Sequence, residues 1–309
     1  MDPLSGFLSL LRPVPTVTPG FKAGGTWSVR FASQRGTIGC YVVLTGSCWA
    51  EVEGVPRPLR LSEGDAIVFP RGRSFRLASD LTAPETDAAA VNLYVGGGAP
   101  VVVGTGERFS TVGARFHLTA GQADLLTRLL PPVIHTQRAS DRPARKWAAQ
   151  RLLREVREAL PGSGVLLENL ACAMLVEILR AHLATLGPPE TGWLAAFSNP
   201  RLRLAIQGIH AEPARDWTLE QLASLAGLPK TEFAARFQTS MGESALDYCS
   251  RWRTALACER LDRSSDSVTL IAASLGYATG NAFTSTFKRV MGISPTSYRT
   301  RHLTTSDLA

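Results

Sequence analysis

Two stretches near the end of the chain, LASLAGLPKTEFAARF and IAASLGYATGNAFTSTF, carry one arrangement of apolar and polar positions. In each, a short apolar helix places a small residue four positions before a glycine, Ala223 with Gly227 and Ala272 with Gly276. A turn follows, then a second helix with phenylalanines at i and i+4, Phe233 with Phe237 and Phe283 with Phe287. The pattern predicts two helix-turn-helix units. The glycine takes the left-handed conformation that ends the first helix, the alanine lets the helices approach, and the Phe pair seats the second helix on a small core. The polar face opposite each Phe pair stays free.

Elsewhere the periodicity changes. From residue 20 to 115, runs such as TWSVRF, CYVVL, CWAEVEG, DAIVFP and SFRLAS alternate with Gly, Pro and charged turns, which predicts strands closing into a barrel or sandwich. A helical signal begins near Thr119 with Leu125, Leu126, Leu129 and Leu130, stops at Pro131-Pro132, and resumes from Arg142 to Leu160. The next helix, about residues 165 to 186, lines up Leu167, Leu170, Met174, Ile178 and Leu186. That stripe is either a dimerisation surface or a lid on the β domain. The Gly187–Gly192 segment, GPPETG, is the natural linker, because neither helix nor strand keeps such residues inside. Three regions follow: 1–130, 131–192 and 193–309. At the start of the last, Asp216 or Thr218 caps a helix, and Thr218 with Gln221 has the spacing of a capping box. Between the repeats, SALDYCSRWRTALACERLDRS reads as one long helix with Leu246, Trp252, Leu256 and Leu261 inward and Arg251, Arg253, Arg260 and Arg263 mostly outward. Such a helix is about 30 Å long, close to one DNA turn of about 34 Å.

Composition narrows the classes without naming one. A chain of 309 residues, 45% apolar, builds two ordinary domains. Five cysteines without a CxxC pair argue against a disulfide framework or zinc ribbon and fit a reducing cytoplasm. The opening MDPLSGFLSLLRP lacks a basic leader and a cleavage site, and Glu177 and Arg180 interrupt the apolar run from Leu170 to Leu183, so no membrane span is expected. The net charge of +7 suits a polyanion, but it divides as +2, +2 and +3 over residues 1–130, 131–190 and 191–309. No segment is singled out by charge, so the motifs carry the argument.

From about Asn199 to Arg301 those motifs resemble the AraC/XylS family of bacterial transcription regulators, most specifically in the stretch GYATGNAFTSTFKRVMGISPTSYR, Gly276 to Arg299. The first half, through GTIGCYVVLTGSCWAEVEG, LSEGDAIVFPRG and LLTRLLPPVIH, is similar to the cupin-like sensor domain of one branch of that family. The resemblance implies an α+β multidomain chain. Its N-terminal part is a cupin-like β-barrel with following helices, and its C-terminal part an all-α domain with two helix-turn-helix units. It further implies a cytoplasmic, sequence-specific transcription regulator, activator or repressor, that binds double-stranded promoter DNA. RNA polymerase, a homodimer mate and a small-molecule effector are the implied partners.

Within the resemblance, the second helix of each unit reads DNA. Base-contact positions fall on Thr231, Ala234 and Ala235 in the first unit and on Asn281, Thr284 and Ser285 in the second. The alanines offer only a methyl contact to thymine, so readout by this helix is either weak or rests on Lys230, Thr231, Glu232 and Arg236. Lys288 and Arg289 are placed for phosphates, which position rather than specify. Pro229 replaces the usual capping hydroxyl of the first reading helix with a fixed φ.

In the first half, Gly64 to Gly72 keeps the spacing G-x5-P-x-G of the second cupin motif, yet Phe75 stands where a histidine ligand is expected and Tyr41 near the position of another. The histidines at 117, 135, 182, 210 and 302 show no pair at ligand spacing, so neither metal nor other cofactor is expected and the chain is not read as an enzyme. Trp27, Tyr41, Trp49, Phe69, Arg73 and Phe75 either line an effector pocket or, for the aromatics, fill the core. Cys40 and Cys48, flanking a turn at Thr45-Gly46, raise a redox signal, against which stands the inertness of buried thiols. The competing class is a cupin-fold enzyme or ligand-binding protein whose C-terminal part is only an interaction module.

Overall fold

The computed structural model describes residues 2–11, 14–93, 100–118, 130–137, 142–185, 196–197 and 199–306. The helical signal over 119–129 and the linker 187–192 lie outside the described residues. The chain forms two compact units, one organised by strands and one wholly helical.

Among the described residues the strand unit has eleven strands: β1 (Val14–Gly24), β2 (Ser28–Phe31), β3 (Thr37–Thr45), β4 (Ser47–Val52), β5 (Leu59–Ser62), β6 (Ala66–Phe69), β7 (Phe75–Ala78), β8 (Thr86–Asp87), β9 (Val101–Gly104), β10 (Phe109–His117) and β11 (Ile134–Thr136). They make a six-stranded sheet, β11-β6-β3-β10-β1-β9, and a five-stranded sheet, β5-β4-β7-β2-β8. The two inner faces share one core that runs from Phe21, Tyr41, Val43, Ile67 and Phe69 on one sheet to Phe31, Cys48, Ala50, Phe75 and Leu77 on the other. This corrects the expected barrel: the described strands make two separate sheets and no closed ring. The edge strands β5, β8, β9 and β11 are two to four residues long, too short to complete a continuous ladder around the core.

The strands foreseen from alternation are all present, but β1 starts earlier than the pattern suggested. Pro15 and Pro19 conceal it, since proline argues against a strand. The strand tolerates Pro19 through a register shift between Thr18 and Phe21, and Pro15 lies where β1 pairs with β10 but not with β9. There Gly20 takes φ +68° and passes so close to β10 that a Cβ would lie 1.7 Å from the Thr111 carbonyl oxygen.

Residues of β3 up to Leu44 are buried on both faces. Tyr41 and Val43 enter the core between the sheets, so alternation turns Cys40 and Val42 to the other face of the sheet. That outer face is covered by two helices, α2 (Arg142–Glu158) and α3 (Ser163–Leu183), which pack on β1, β3, β6, β10 and β11. Met174 and Ile178 are buried there, so the apolar stripe of α3 acts as a lid, with Leu167 and Leu170 half-buried at its margin. Arg145, only 2% exposed, fastens α2 to the turn before β6 by donating to the Gly64 carbonyl at 3.2 Å.

The helical unit contains α1 (Pro3–Leu11), α4 (Pro200–Ala211), α5 (Leu219–Ala226), α6 (Lys230–Met241), α7 (Ala245–Arg263), α8 (Val268–Ser274), α9 (Gly280–Met291) and α10 (Pro295–Ser306). Helices α4 to α6 form the first helix-turn-helix unit and α8 to α10 the second, both resting on α7. Thr218, not Asp216, caps α5 in a complete capping box with Gln221. The α7 core face runs through Ala245, Tyr248, Cys249, Trp252, Ala255, Cys258 and Leu261 at helical spacing. That register places Leu246 about 100° off the face, and it is exposed rather than inward.

Sequence grouped residues 1–130 together, yet α1 packs on α4 and α7 of the helical unit. Phe7 is 1% exposed, and a Cβ on Gly6 would fall 2.8 Å from Nδ1 of His210. His210 stacks on Trp252 with ring centroids 3.6 Å apart, and its Nε2 lies 2.7 Å from the Tyr248 hydroxyl. Burial pulls the His210 pKa down to about 3, which keeps this ring neutral beneath α1.

Candidate nucleic-acid interface

Each unit is built so that one helix is held from beneath and left open above. In α6, Phe233, Phe237 and Met241 are buried while Thr231, Ala235, Arg236, Gln238 and Thr239 are exposed. In α9, Phe283 and Phe287 are buried while Asn281, Ala282, Ser285, Lys288 and Arg289 are exposed. The Phe rings meet tilted at 5.5 and 5.6 Å between centroids, a geometry favourable to aromatic pairs. They fix the azimuth of each helix, so the residues on the far side form a defined face.

The helices enter differently. Thr279 caps α9 by accepting from the Ala282 amide at 3.2 Å. Pro229 precedes α6 at φ −58° with no side-chain cap, as its chemistry demands. The second turn is also one residue longer: the glycines lie 49 positions apart and the Phe pairs 50. Applied to the open faces, the 50-residue offset matches Thr231 with Asn281, Ala235 with Ser285 and Gln238 with Lys288. Gln238 was missed by sequence reasoning, although this offset was the signal that would have found it.

Ala234, Thr284 and Glu232 are half-buried at the margin of these faces. The basic groups are mostly engaged within the protein. Lys230 pairs with Glu220, Arg236 with Glu232 at 2.7 Å, and Arg289 with Asp247 at 3.2 Å. Lys288 is exposed and has no ion pair among the described residues. Beneath them Glu243, in the turn after α6, is paired with Arg251 at 2.5 Å. Burial pushes its pKa up to about 7 despite that cation.

The strand-unit candidates separate into three environments. Trp27, Tyr41, Phe69 and Phe75 sit in the core between the sheets, Phe69 and Phe75 stacked at 3.9 Å. Trp49 is half-buried under Arg60, 5.1 Å from its ring, and Arg73 donates to the Glu53 carbonyl at 2.8 Å. Of the six, Tyr41 alone reaches the cavity lined by Thr18, Gly20, Phe21, Phe31, Tyr41, Leu93 and Arg115. Its volume of about 10 Å³ admits roughly one water molecule. Cys40, on the outer face of β3 in the six-stranded sheet, and Cys48, on β4 of the five-stranded sheet and part of the core between the sheets, are both fully buried. Burial pushes the Cys48 thiol up to about 12 and raises that of Cys40 further, leaving neither as thiolate near neutrality. Among the described residues no three His, Cys, Asp or Glu side chains gather as a metal site, and no helix is long and apolar enough to cross a membrane.

Comparison with known proteins bears on both units. Residues 2–184 match the Cupin family and residues 222–301 the Helix-turn-helix domain family. Over 302 residues the chain is 34% identical to a Streptomyces lividans protein described as an AraC-like transcription regulator, covering 97% of this chain and 98% of that one. It is 28% identical over 285 residues to the HTH-type transcriptional regulator AlkR of Acinetobacter baylyi, covering 90% and 92%. Among solved structures it is similar to ToxT from Vibrio cholerae, with a TM-score of 0.36, 11% identity, and 93% and 97% of the two chains covered. With two helix-turn-helix units in its helical part and 34% identity to a regulator along nearly its whole length, the chain belongs to the AraC-like transcription regulators.

Proposed function

We propose that α6 and α9 enter successive major grooves on one side of a promoter and that a small effector in the strand unit alters how they do so. The observation that carries this reading is the pair of open faces, each held in register by two buried phenylalanines. Thr231, Ala235 and Gln238 on α6 and Asn281 and Ser285 on α9 contact base edges, with Gln238 and Asn281 suited to adenine. Thr284 and Ala234 add contacts at the margin. Lys288 binds phosphate, Arg289 does so through the guanidinium edge that Asp247 leaves open, and Lys230 and Arg236 join once DNA competes with their carboxylate partners Glu220 and Glu232. Promoter occupancy then recruits or blocks RNA polymerase without a catalytic step in this chain, and a homodimer would engage a repeated site.

For the effector, the aromatic walls, two hydroxyls and one guanidinium around the Tyr41 cavity favour a small, partly apolar molecule. A cavity with room for one water must widen to take it, so effector binding selects a different arrangement of the strand unit. The redox alternative loses ground because the two thiols are buried and protonated. The test is footprinting of the full chain on fragments of its own genome. Protection spanning about two helical turns on one face is expected, and absence of any protected tract overturns the reading.

A further inference from the structure

The two helix-turn-helix units touch at a second place besides the helix they share. Gly276 has φ +81°, and a Cβ there would lie 2.0 Å from the Ala214 carbonyl oxygen and 2.7 Å from its carbon. Its counterpart Gly227, at φ +60°, has open space where its Cβ would be. One position of the repeat therefore needs glycine for its handedness alone. The other also needs it so that the turn of the second unit can rest on the backbone between α4 and α5 of the first.

Arg253 bridges this contact from the middle of α7. Its Nε donates to the Pro213 carbonyl and its Nη2 to the Arg215 carbonyl, both at 2.6 Å. The same guanidinium lies 5.4 Å from the ring centroid of Tyr277, the residue after Gly276. One planar fork thus holds the carbonyls on either side of Ala214 and the ring that follows the glycine pressed against it. A second link lies toward the other end of the spacer. Arg289, near the end of α9, donates to Asp247 in the first turn of α7, where Ser244 holds the other carboxylate oxygen at 2.7 Å.

We propose that Arg253, supported by the Gly276 contact and the Asp247–Arg289 pair, is a positioning residue that sets the angle between α6 and α9. The protein then selects DNA by the interval between two recognised elements as well as by their sequences. This inference rests on the DNA reading above. Adding one base pair moves the second element by about 3.4 Å and turns it by about 35°. Hydrogen bonds to base edges do not survive such an offset when the two reading helices are fixed. They survive it when the units pivot on the spacer.

The test uses the full chain and a pool of duplexes carrying a randomised stretch of about three helical turns. Wild type is expected to enrich two elements at a single interval, and one inserted base pair to weaken binding ~10-fold or more. Arg253→Ala is expected to enrich the same elements at several intervals, with less than ~3-fold loss on insertion. If Arg253→Ala does not fold by circular dichroism, Asp247→Asn carries the test, and relaxed spacing in it supports the brace. Uniform weakening at every interval with the single preferred spacing retained, in whichever variant is read, overturns it, as does a wild type indifferent to spacing. Enrichment of no element by wild type overturns the DNA reading as well, an outcome distinct from the loss of spacing alone.

Discussion

At the scale of single residues, one sequence symbol has two physical meanings in this chain. Gly227 and Gly276 occupy the same place in the repeat, but only Gly276 faces a backbone carbonyl where a side chain would project. Gly227→Ala is expected to cost about 1 kcal/mol through left-handed strain. Gly276→Ala should cost roughly 2–3 kcal/mol or more because backbone must also move, and urea unfolding of the two variants measures the difference. His210 makes a second residue-level prediction. Its native pKa, about 3, lies below the ordinary 6.5, so the unfolded chain binds more protons between those values and the stability from neutral His210 is lost as pH falls below 6.5. Glu243, with its pKa raised to about 7 against an ordinary 4.5, works oppositely: its burial costs stability as pH rises from about 4.5 through 7, above which the cost is level. Comparing wild type with His210→Phe cancels that contribution. From pH 7 to 5 the wild type should lose about 2 kcal/mol more than the variant in denaturant melts.

At the scale of elements, pattern was most legible where a face is buried on one side only. The Phe pairs, the Thr218 capping box, the uncapped start at Pro229 and the single spacer helix were all visible in spacing, because each is a local choice. What escaped had non-local causes. β1 hides behind two prolines, Pro19 at a register shift and Pro15 where β9 does not reach, and α1 is too short to announce itself without the helices that receive it. Arg253 was read as outward because an arginine on a helix usually is; its partners lie 38 and 40 residues away. The aromatics of the strand unit were ambiguous for another reason: pocket wall and core filler have the same composition. On the reading helices, Lys288→Ala should weaken DNA binding across sequences and flatten the plot of log affinity against log salt by about 1, whereas Asn281→Ala and Gln238→Ala should change base preference. Titrations of matched and shuffled duplexes over a salt series separate the two behaviours.

At the scale of the whole molecule, residues 3–11 connect the two units through the chain, since α1 packs in the helical unit and β1 begins at Val14 of the strand unit. Phe7→Ala removes a ring that is 1% exposed and should destabilise the helical unit by about 3 kcal/mol, read as an earlier loss of helical signal in denaturant. A fragment beginning at residue 193 lacks this helix and should unfold earlier still.

The docking of α1 also constrains the order in which the protein can be completed. The ribosome delivers α1 ahead of the strands, while the helices that seat it, α4 and α7, emerge only after every described strand has been made. Until then Leu4 and Phe7 lack the helices that bury them, and the strand unit is free to fold with α1 unanchored. The helical unit of this regulator is therefore finished by a segment made well before the rest of it, so a nascent chain halted before α7 has neither both helix-turn-helix units nor a seat for α1.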